Sequence, residues 1–210
     1  MANRGLTAKG AATRQRIVDG AAALIRLKGP GATNLDDVLE ATATSKSQLF
    51  HYFPNGREDL LQAVARHEAD QVLAVQQPYL ADLTSRRKWQ AWRTAVVAHY
   101  GELGDRCPLG ALTAQLGKTS PRTREIVSEL YGTWEAYLLA GVQAMAEQGA
   151  LSPGIAPETA ARGILAAIQG GVLMLQATGS LDYLVGALDA AMFPLRIRGP
   201  AAPEHSQLWT

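Results

Sequence analysis

The chain has 210 residues, of which 47% are hydrophobic and 19% charged, and its formal net charge is +1. This length and apolar content are enough to bury the core of one large domain, or of a small domain joined to a larger one, and they exclude a fibrous or disordered chain. The single cysteine, Cys107, excludes an intrachain disulfide and predicts a reducing compartment, the cytoplasm.

The hydrophobic pattern predicts an all-α protein that does not enter a membrane. Apolar residues recur at helical spacing, whereas alternating β-branched stretches between turn signals are missing. The N-terminal residues lack the apolar segment of a signal peptide. The most apolar run, residues 163–179, is interrupted by Gln169 and Gln176, so we expect it to fall short of a membrane span.

Charge is distributed unevenly along the chain. Residues 1–57 contain eight Lys or Arg against four Asp or Glu, an excess of four positive charges, and the remainder therefore carries −3. Such asymmetry favours a polyanion-binding module joined to a mildly acidic body. Ordinary solvated surface charge explains it equally well at this point.

Three short helices are predicted in the first quarter of the chain. The first runs to about Lys28 and ends at the breakers in 29–31. Thr33 or Asn34 can cap the second, with an aspartate three residues later to complete a capping box. Ser45 can cap the third, which the sequence PNG at 54–56 ends. Two short helices therefore meet across a tight turn.

This arrangement is typical of a helix-turn-helix, in which the second helix of the pair lies in the major groove of DNA. Leu49, Phe50 and Phe53 are predicted to hold that helix from behind. Gln48 is predicted to pair bidentately with adenine and Lys46 to reach guanine or phosphate. Phosphate oxygens are the predicted partners of Ser47 or Tyr52. A capped helix in any helical bundle has the same pattern, so spacing alone leaves that alternative open.

The stretch TNLDDVLEATATSKSQLFHYFPNGREDLL resembles the signature of TetR-family transcriptional regulators, and the match covers residues from about 12 to 61. The resemblance implies a ligand-responsive repressor that binds double-stranded DNA. It also implies a phosphate contact at the start of the second helix and a backbone contact at the start of the fourth. The DNA-binding residues predicted in this way are Thr33, Ser45, Lys46, Ser47, Gln48, His51, Tyr52 and Arg57.

The sequence departs from the family pattern at two positions. Ala43 stands in the turn where the family usually has Gly, and we expect the turn to avoid a positive φ there. Phe50 stands where Tyr is usual and cannot donate a hydroxyl to phosphate, so Tyr52 is expected to supply it. The segment 107–117 resembles the LmrA/YxaF-like subgroup, which is associated with drug-efflux genes.

The remaining sequence predicts a larger helical body. A fourth helix is expected at 57–77, a fifth across 89–100, a short sixth at 107–117 and a seventh from Pro121 toward Gln148. With two more helices at 157–178 and 181–192, the fold class is all-α with about nine helices. The predicted domains are a helix-turn-helix DNA-binding domain, 1–56, and a helical-bundle domain for ligand binding and dimerisation, 57–210.

The last two helices are apolar on several faces and need partners on several faces. A four-helix interface across a two-fold axis satisfies this, and the buried core of a monomer is the alternative. A homodimer would place two recognition helices about 34 to 36 Å apart, which suits a palindromic operator. The predicted interface residues are Ile164, Ala167, Ile168, Gly171, Val172, Leu184, Leu188 and Met192.

An effector pocket is predicted between helices of the body, because apolar cavities in bundles are common ligand sites. Aromatic stripes are more often plain core. A small apolar or amphipathic effector would favour a dimer whose recognition helices are spaced wrongly for DNA, and would thereby release it. The predicted lining residues are Trp89, Trp92, Tyr100, Leu112, Leu116, Trp134, Tyr137 and Met145.

Catalytic chemistry finds little support in the sequence. The four histidines are too scattered for a metal site, Cys107 has no activating neighbour except Arg106, and a phosphate-binding Gly-rich loop after a strand is missing. We therefore predict no enzyme activity, no cofactor and no metal. The rival classes are an all-α enzyme or carrier acting on a hydrophobic small molecule, and a helix-mediated protein-interaction module, which would not need the polar third helix.

Overall fold

The computed structural model describes residues 6–104 and 121–195, and within these ranges all regular structure is helical. The observed helices confirm the all-α fold, and the short helix predicted at 107–117 lies outside the described residues. In chain order the helices are α1 Ala8–Ala32, α2 Leu35–Ala41, α3 Lys46–Tyr52, α4 Arg57–Leu80, α5 Arg86–Leu103, α6 Pro121–Glu147, α7 Pro157–Thr178, α8 Asp182–Met192 and a 3-10 turn, Phe193–Leu195.

The chain forms two compact units, which we describe separately. The described part of the N-terminal unit is 6–75 with 121–132, and that of the C-terminal unit is 76–104 with 133–195. Helices α4 and α6 each contribute residues to both units. The domain boundary after residue 56 stays a prediction from sequence.

Helix α1 supplies one wall of the N-terminal core and ends where the breakers predict. Ile17, Ala21 and Ile25 are buried at helical spacing. Gly29 adopts φ 79° and ψ 159°, which interrupts the helix after Lys28, and only a short helical turn follows it. Because φ is positive there, glycine avoids the strain that a side chain would add.

Helix α1 is also tied to α4 by polar contacts. The Arg26 guanidinium lies 2.5 Å from the Glu68 carboxylate, and the Gln15 amide nitrogen lies 3.3 Å from Nδ1 of His67. Glu68 is buried, and this desolvation raises the pKa of its carboxyl despite the Arg26 charge. These contacts fix the scaffold on which α2 and α3 are mounted.

The C-terminal unit packs α5 against α6 through large aromatic side chains. Trp89, Trp92 and Trp134 are completely buried, and the rings of the first two meet edge to face at 5.4 Å. Gly141 allows this packing, since a Cβ at that position would lie 2.5 Å from Cβ of Leu83 and 2.9 Å from the Trp89 ring.

Helices α7 and α8 pack against each other at a second close approach. A Cβ at Gly171 would lie 2.5 Å from Cα of Leu184, so only glycine permits this separation of the helices. The side chains predicted to form the dimer interface are largely used up in this packing. Those buried within one chain are Ile164, Ile168, Gly171, Val172, Leu184, Leu188 and Met192, and Ala167 is half-buried.

The interface predicted on those residues stays a prediction, and their burial limits the surface that they can offer to a partner. A side chain that its own chain covers completely, such as Ile168 or Leu188, has no surface left for a partner. The apolar pattern of these two helices reflects the packing of α7 against α8 within one chain. The exposed apolar residues of these helices and of the following turn are Leu173, Met174, Tyr183 and Phe193.

The length of α7 also differs from expectation. It has 22 residues with a mean hydropathy of 1.3 in its most apolar window, so by length and composition it could cross a membrane. The run 163–179 was expected to fall short of a span, and the helix that contains most of it begins earlier, at Pro157. Burial of Ile164, Ile168 and Leu175 accounts for its hydropathy without a bilayer.

Candidate nucleic-acid interface

Helix α2 begins with the capping box that the sequence predicted. The Asn34 side chain accepts from the Asp37 N–H at 2.9 Å, and the Asp37 carboxylate accepts from the Asn34 N–H at 3.2 Å. The Lys28 ammonium donates to the same carboxylate and lowers the pKa of Asp37. The carboxylate therefore stays charged at neutral pH, where it favours the N-terminus of the helix.

The turn between α2 and α3 contradicts the expected backbone at Ala43, which adopts φ 47°. The end of α2 explains why. The Ala43 N–H donates to the Glu40 carbonyl at 3.2 Å, and the Thr44 N–H donates to the Leu39 carbonyl at 3.0 Å. This is a Schellman ending, which requires a left-handed residue, and its hydrogen bonds offset a strain of about 1 kcal/mol for a non-glycine residue.

Two buried threonines reinforce the turn. The Thr42 hydroxyl donates to the Val38 carbonyl at 2.6 Å and lies 2.9 Å from the Thr44 hydroxyl. The methyl group of Thr42 faces α1 at Gly20, where a Cβ would lie only 2.3 Å from it. Hydrogen bonds within the turn and the contact of Thr42 with α1 therefore both stabilise its conformation.

Replacing Gly20 with alanine should force the turn away from α1. We expect the free energy of unfolding to fall by about 2 kcal/mol, as in other overpacked cores, and DNA affinity to fall with it. Urea unfolding at equilibrium measures the first effect. Gly132→Ala is the control, because a Cβ there meets nothing within 4 Å. Equal stability of the two variants would contradict the contact.

Helix α3 is capped at one end and anchored on one side. Ser45 is its N-cap, and Ser45 and Gln48 form a reciprocal capping box. Leu49 and Phe53 are buried as predicted, and the Arg14 guanidinium lies 5.3 Å from the Phe53 ring centroid. Phe50 was wrongly placed among the anchors, because 39% of it is exposed.

The polar side chains of α3 lie together on its exposed side. Lys46, Ser47, Gln48 and His51 are exposed there, together with the capping Ser45. Tyr52 is half-buried, and its hydroxyl lies against α1, 3.5 Å from the position a Cβ would take on Gly10. Short polar groups, one cation and an imidazole thus share one surface with a rigid apolar support, as insertion into a major groove requires.

Thr33 and Arg57 meet the chain around the break in α1. Thr33 is buried, and its hydroxyl donates to the Gly29 carbonyl at 2.8 Å. One terminal nitrogen of Arg57 donates to the Pro30 carbonyl at 2.5 Å, and the side chain is otherwise exposed. Both residues position the segment that leads into α2. The phosphate contacts predicted for them stay predictions.

The residues predicted to bind an effector lie mainly in the C-terminal unit. Trp89, Trp92, Tyr100, Trp134 and Met145 are buried, and Tyr137 is half-buried. Leu112 and Leu116 lie outside the described residues. The Trp92 indole donates to Oε1 of Gln76 at 3.0 Å, whereas the buried indole nitrogens of Trp89 and Trp134 have no hydrogen-bond partner among the described residues.

Two protein-family models match the chain in order. Residues 17–64 match the model for bacterial regulatory proteins of the tetR family, and residues 87–191 match the tetracyclin repressor-like C-terminal domain. The chain belongs to the TetR family. Its α2 and α3 are the helix-turn-helix of a TetR-family transcriptional regulator, and DNA binding through this motif is the family's activity.

Individual TetR-family relatives agree with this assignment. An uncharacterized HTH-type transcriptional regulator of Lactococcus lactis is 27% identical over 84% of this chain and 90% of its own length. The uncharacterized regulator YxaF of Bacillus subtilis is 25% identical over 59% of this chain and 66% of its own length. A TetR-family regulator from Cytophaga hutchinsonii shares the fold with a TM-score of 0.76 at 20% identity, covering 91% of this chain and 97% of that one.

Proposed function

We propose that this TetR-family protein is a cytoplasmic repressor that binds a palindromic operator as a homodimer and is released by a small apolar or amphipathic effector. The observation that carries the proposal is α3, whose buried Leu49 and Phe53 leave the polar side chains of the helix exposed, with a positive charge at Lys46. A helix built in this way suits base edges and phosphates together.

The homodimer is supported by an exposed apolar surface on the C-terminal unit. Leu173 and Phe193 are 63% and 77% exposed, and Met174 and Tyr183 are also exposed. On α7, the exposed Gly163, Ala166 and Gly170 lie at helical spacing with Leu173. A second copy of the same surface, brought up across a two-fold axis, would cover these residues, and small side chains permit close approach.

Leu173→Glu should therefore shift the protein toward monomers, because it places a charge within the proposed interface. We expect the dimer dissociation constant to rise at least about 100-fold, with helicity unchanged. Sedimentation equilibrium measures it. Leu27→Glu is the matched control, since Leu27 is 78% exposed but lies on the N-terminal unit. Loss of dimers in both variants, or in neither, would contradict the assignment.

The effector is supported by the two unpartnered indoles. A buried N–H without an acceptor costs about 1–3 kcal/mol, so a ligand that offers an acceptor would recover part of this free energy on binding. Cζ2 of Trp89 lies against Gly141 on α6, and Trp134 lies two turns earlier on that helix. The indole edge that carries Nε1 of Trp89 therefore faces α6. An apolar molecule with carbonyl or ether oxygens suits these donors.

The alternative is an all-α enzyme or carrier for a hydrophobic small molecule, and the same buried aromatic cluster is what favours it. The two functions differ in their need for DNA. Among the residues that the structure describes, no group of three His, Cys, Asp or Glu side chains is placed to hold a metal ion.

The deciding test is binding of the purified protein to DNA from immediately upstream of its own gene. Gel shifts at two salt concentrations, with a scrambled duplex as control, should show a sequence-specific complex of dimers that weakens with salt. Binding that is absent, or equal for the scrambled duplex, would favour the enzyme or carrier.

A further inference from the structure

The amide of Gln48 is already engaged at the start of the recognition helix α3. Its Oε1 accepts from the Ser45 backbone N–H at 3.1 Å and from the Ser45 hydroxyl at 3.4 Å. A backbone N–H can only donate, so the amide atom facing it must be the oxygen. The orientation of the side chain is thereby fixed by its partner.

This engagement leaves Gln48 with donors alone. Both donors of Ser45, its backbone N–H and its hydroxyl, are directed at this one oxygen. The Nε2 group carries two N–H bonds, and the residue is exposed on the polar face of α3 with Lys46 and Ser47. Toward DNA, Gln48 therefore presents only hydrogen-bond donors, as Lys and Arg do, but without their charge.

The bidentate adenine contact predicted from the sequence needs the oxygen that Ser45 already occupies. Reading adenine requires an acceptor for its N6 amino group and a donor for N7 at the same time. With Oε1 held by Ser45, the acceptor is missing. Guanine is the base whose major-groove edge offers two adjacent acceptors, O6 and N7, and it needs only donors.

We propose that Gln48 caps α3 through its carbonyl oxygen and faces DNA with its amide N–H groups alone, so that the operator presents guanine at the base pair that Gln48 contacts. This inference rests on the proposed function, because it requires α3 to lie in the major groove. It adds a base preference, and it gives one side chain both a positioning and a reading role.

Two substitutions of similar length separate the two roles. Gln48→Glu keeps an oxygen for the capping box, since Glu and Gln are its two usual partners, but removes the donors. Gln48→Met removes both. We expect Gln48→Glu to keep the wild-type Tm and Gln48→Met to lower it by about 2 °C through loss of the cap.

The test is selection of bound sequences from a pool of duplexes with randomised half-sites, using the full-length wild type and both variants. The wild type should select guanine at one position of each half-site. Both variants should lose that preference by about tenfold, and Gln48→Glu should turn toward cytosine, whose N4 amino group a carboxylate accepts. The added negative charge weakens binding to every duplex alike, so the base preference is independent of it.

Three outcomes would overturn the inference. If the wild type selects adenine at the position where Gln48→Met loses its preference, the Ser45–Gln48 capping box must open on DNA. Retained guanine selection in Gln48→Glu would mean that another group donates, and identical preferences in all three proteins would mean that Gln48 reads no base. A wild type that selects no sequence at all would instead refute the proposed function, so the two failures are distinguishable.

Discussion

Gly171→Ala will lower the free energy of unfolding by about 3 kcal/mol, at the upper end for one added methyl group. The new Cβ would lie 2.5 Å from Cα of Leu184 and 2.9 Å from its Cβ. A flexible side chain could move aside, but a backbone atom moves only with its helix. Helices α7 and α8 must therefore move apart, which disrupts the core that they share.

Urea unfolding followed by circular dichroism measures this loss. The control is Gly132→Ala on α6, where a Cβ meets no described atom within 4 Å. It should leave stability unchanged or raise it by about 0.5–1 kcal/mol, because alanine favours a helix more than glycine does. Similar losses in the two variants would disprove the close approach.

Lys46→Glu should weaken operator binding by about 100-fold or more and leave the fold intact. Lys46 is the first residue of α3 and is exposed, so its replacement disturbs no core packing. Reversal of its charge removes an attraction to the DNA backbone and adds a repulsion, each amplified by the density of phosphates. Fluorescence anisotropy with a labelled operator measures the affinity.

A general change of net charge is the obvious confounder of that result. Arg87→Glu is the matched control, because it changes the net charge by the same amount at an exposed position of α5. We expect it to weaken binding no more than about threefold through long-range screened repulsion. Equal losses in both variants would show that α3 does not contact the operator.

The elements that sequence predicted well are those whose causes are local. Ser45 caps α3, Asn34 caps α2, and Leu49 and Phe53 are buried, because capping and helical spacing act over three or four residues. The Ser-x-x-Gln pattern at Ser45 also carried a signal that was missed. It marks a capping box, and therefore a carbonyl that is not free to accept from adenine.

The features that sequence did not show are partly those that distant parts of the chain decide. Ala43 is an exception, because its positive φ has a local cause: the Ala43 and Thr44 N–H groups close a Schellman ending on the Glu40 and Leu39 carbonyls. The partner of each apolar face of α7 does depend on distant parts of the chain. A helix that is apolar all round does not show which side meets its own chain, and that choice depends on Leu184 reaching Gly171.

The positions of the tryptophans give the protein a built-in optical reporter. The sequence has four, and none lies in residues 1–75, which carry α1 to α3. The three in the described residues, Trp89, Trp92 and Trp134, are buried, and the indole nitrogens of Trp89 and Trp134 find no hydrogen-bond partner in that part of the chain. A ligand that supplies an acceptor should shift their emission to longer wavelength without any label. A shift in this emission when operator alone is added would show that DNA binding at α3 changes the surroundings of the tryptophans in the C-terminal unit.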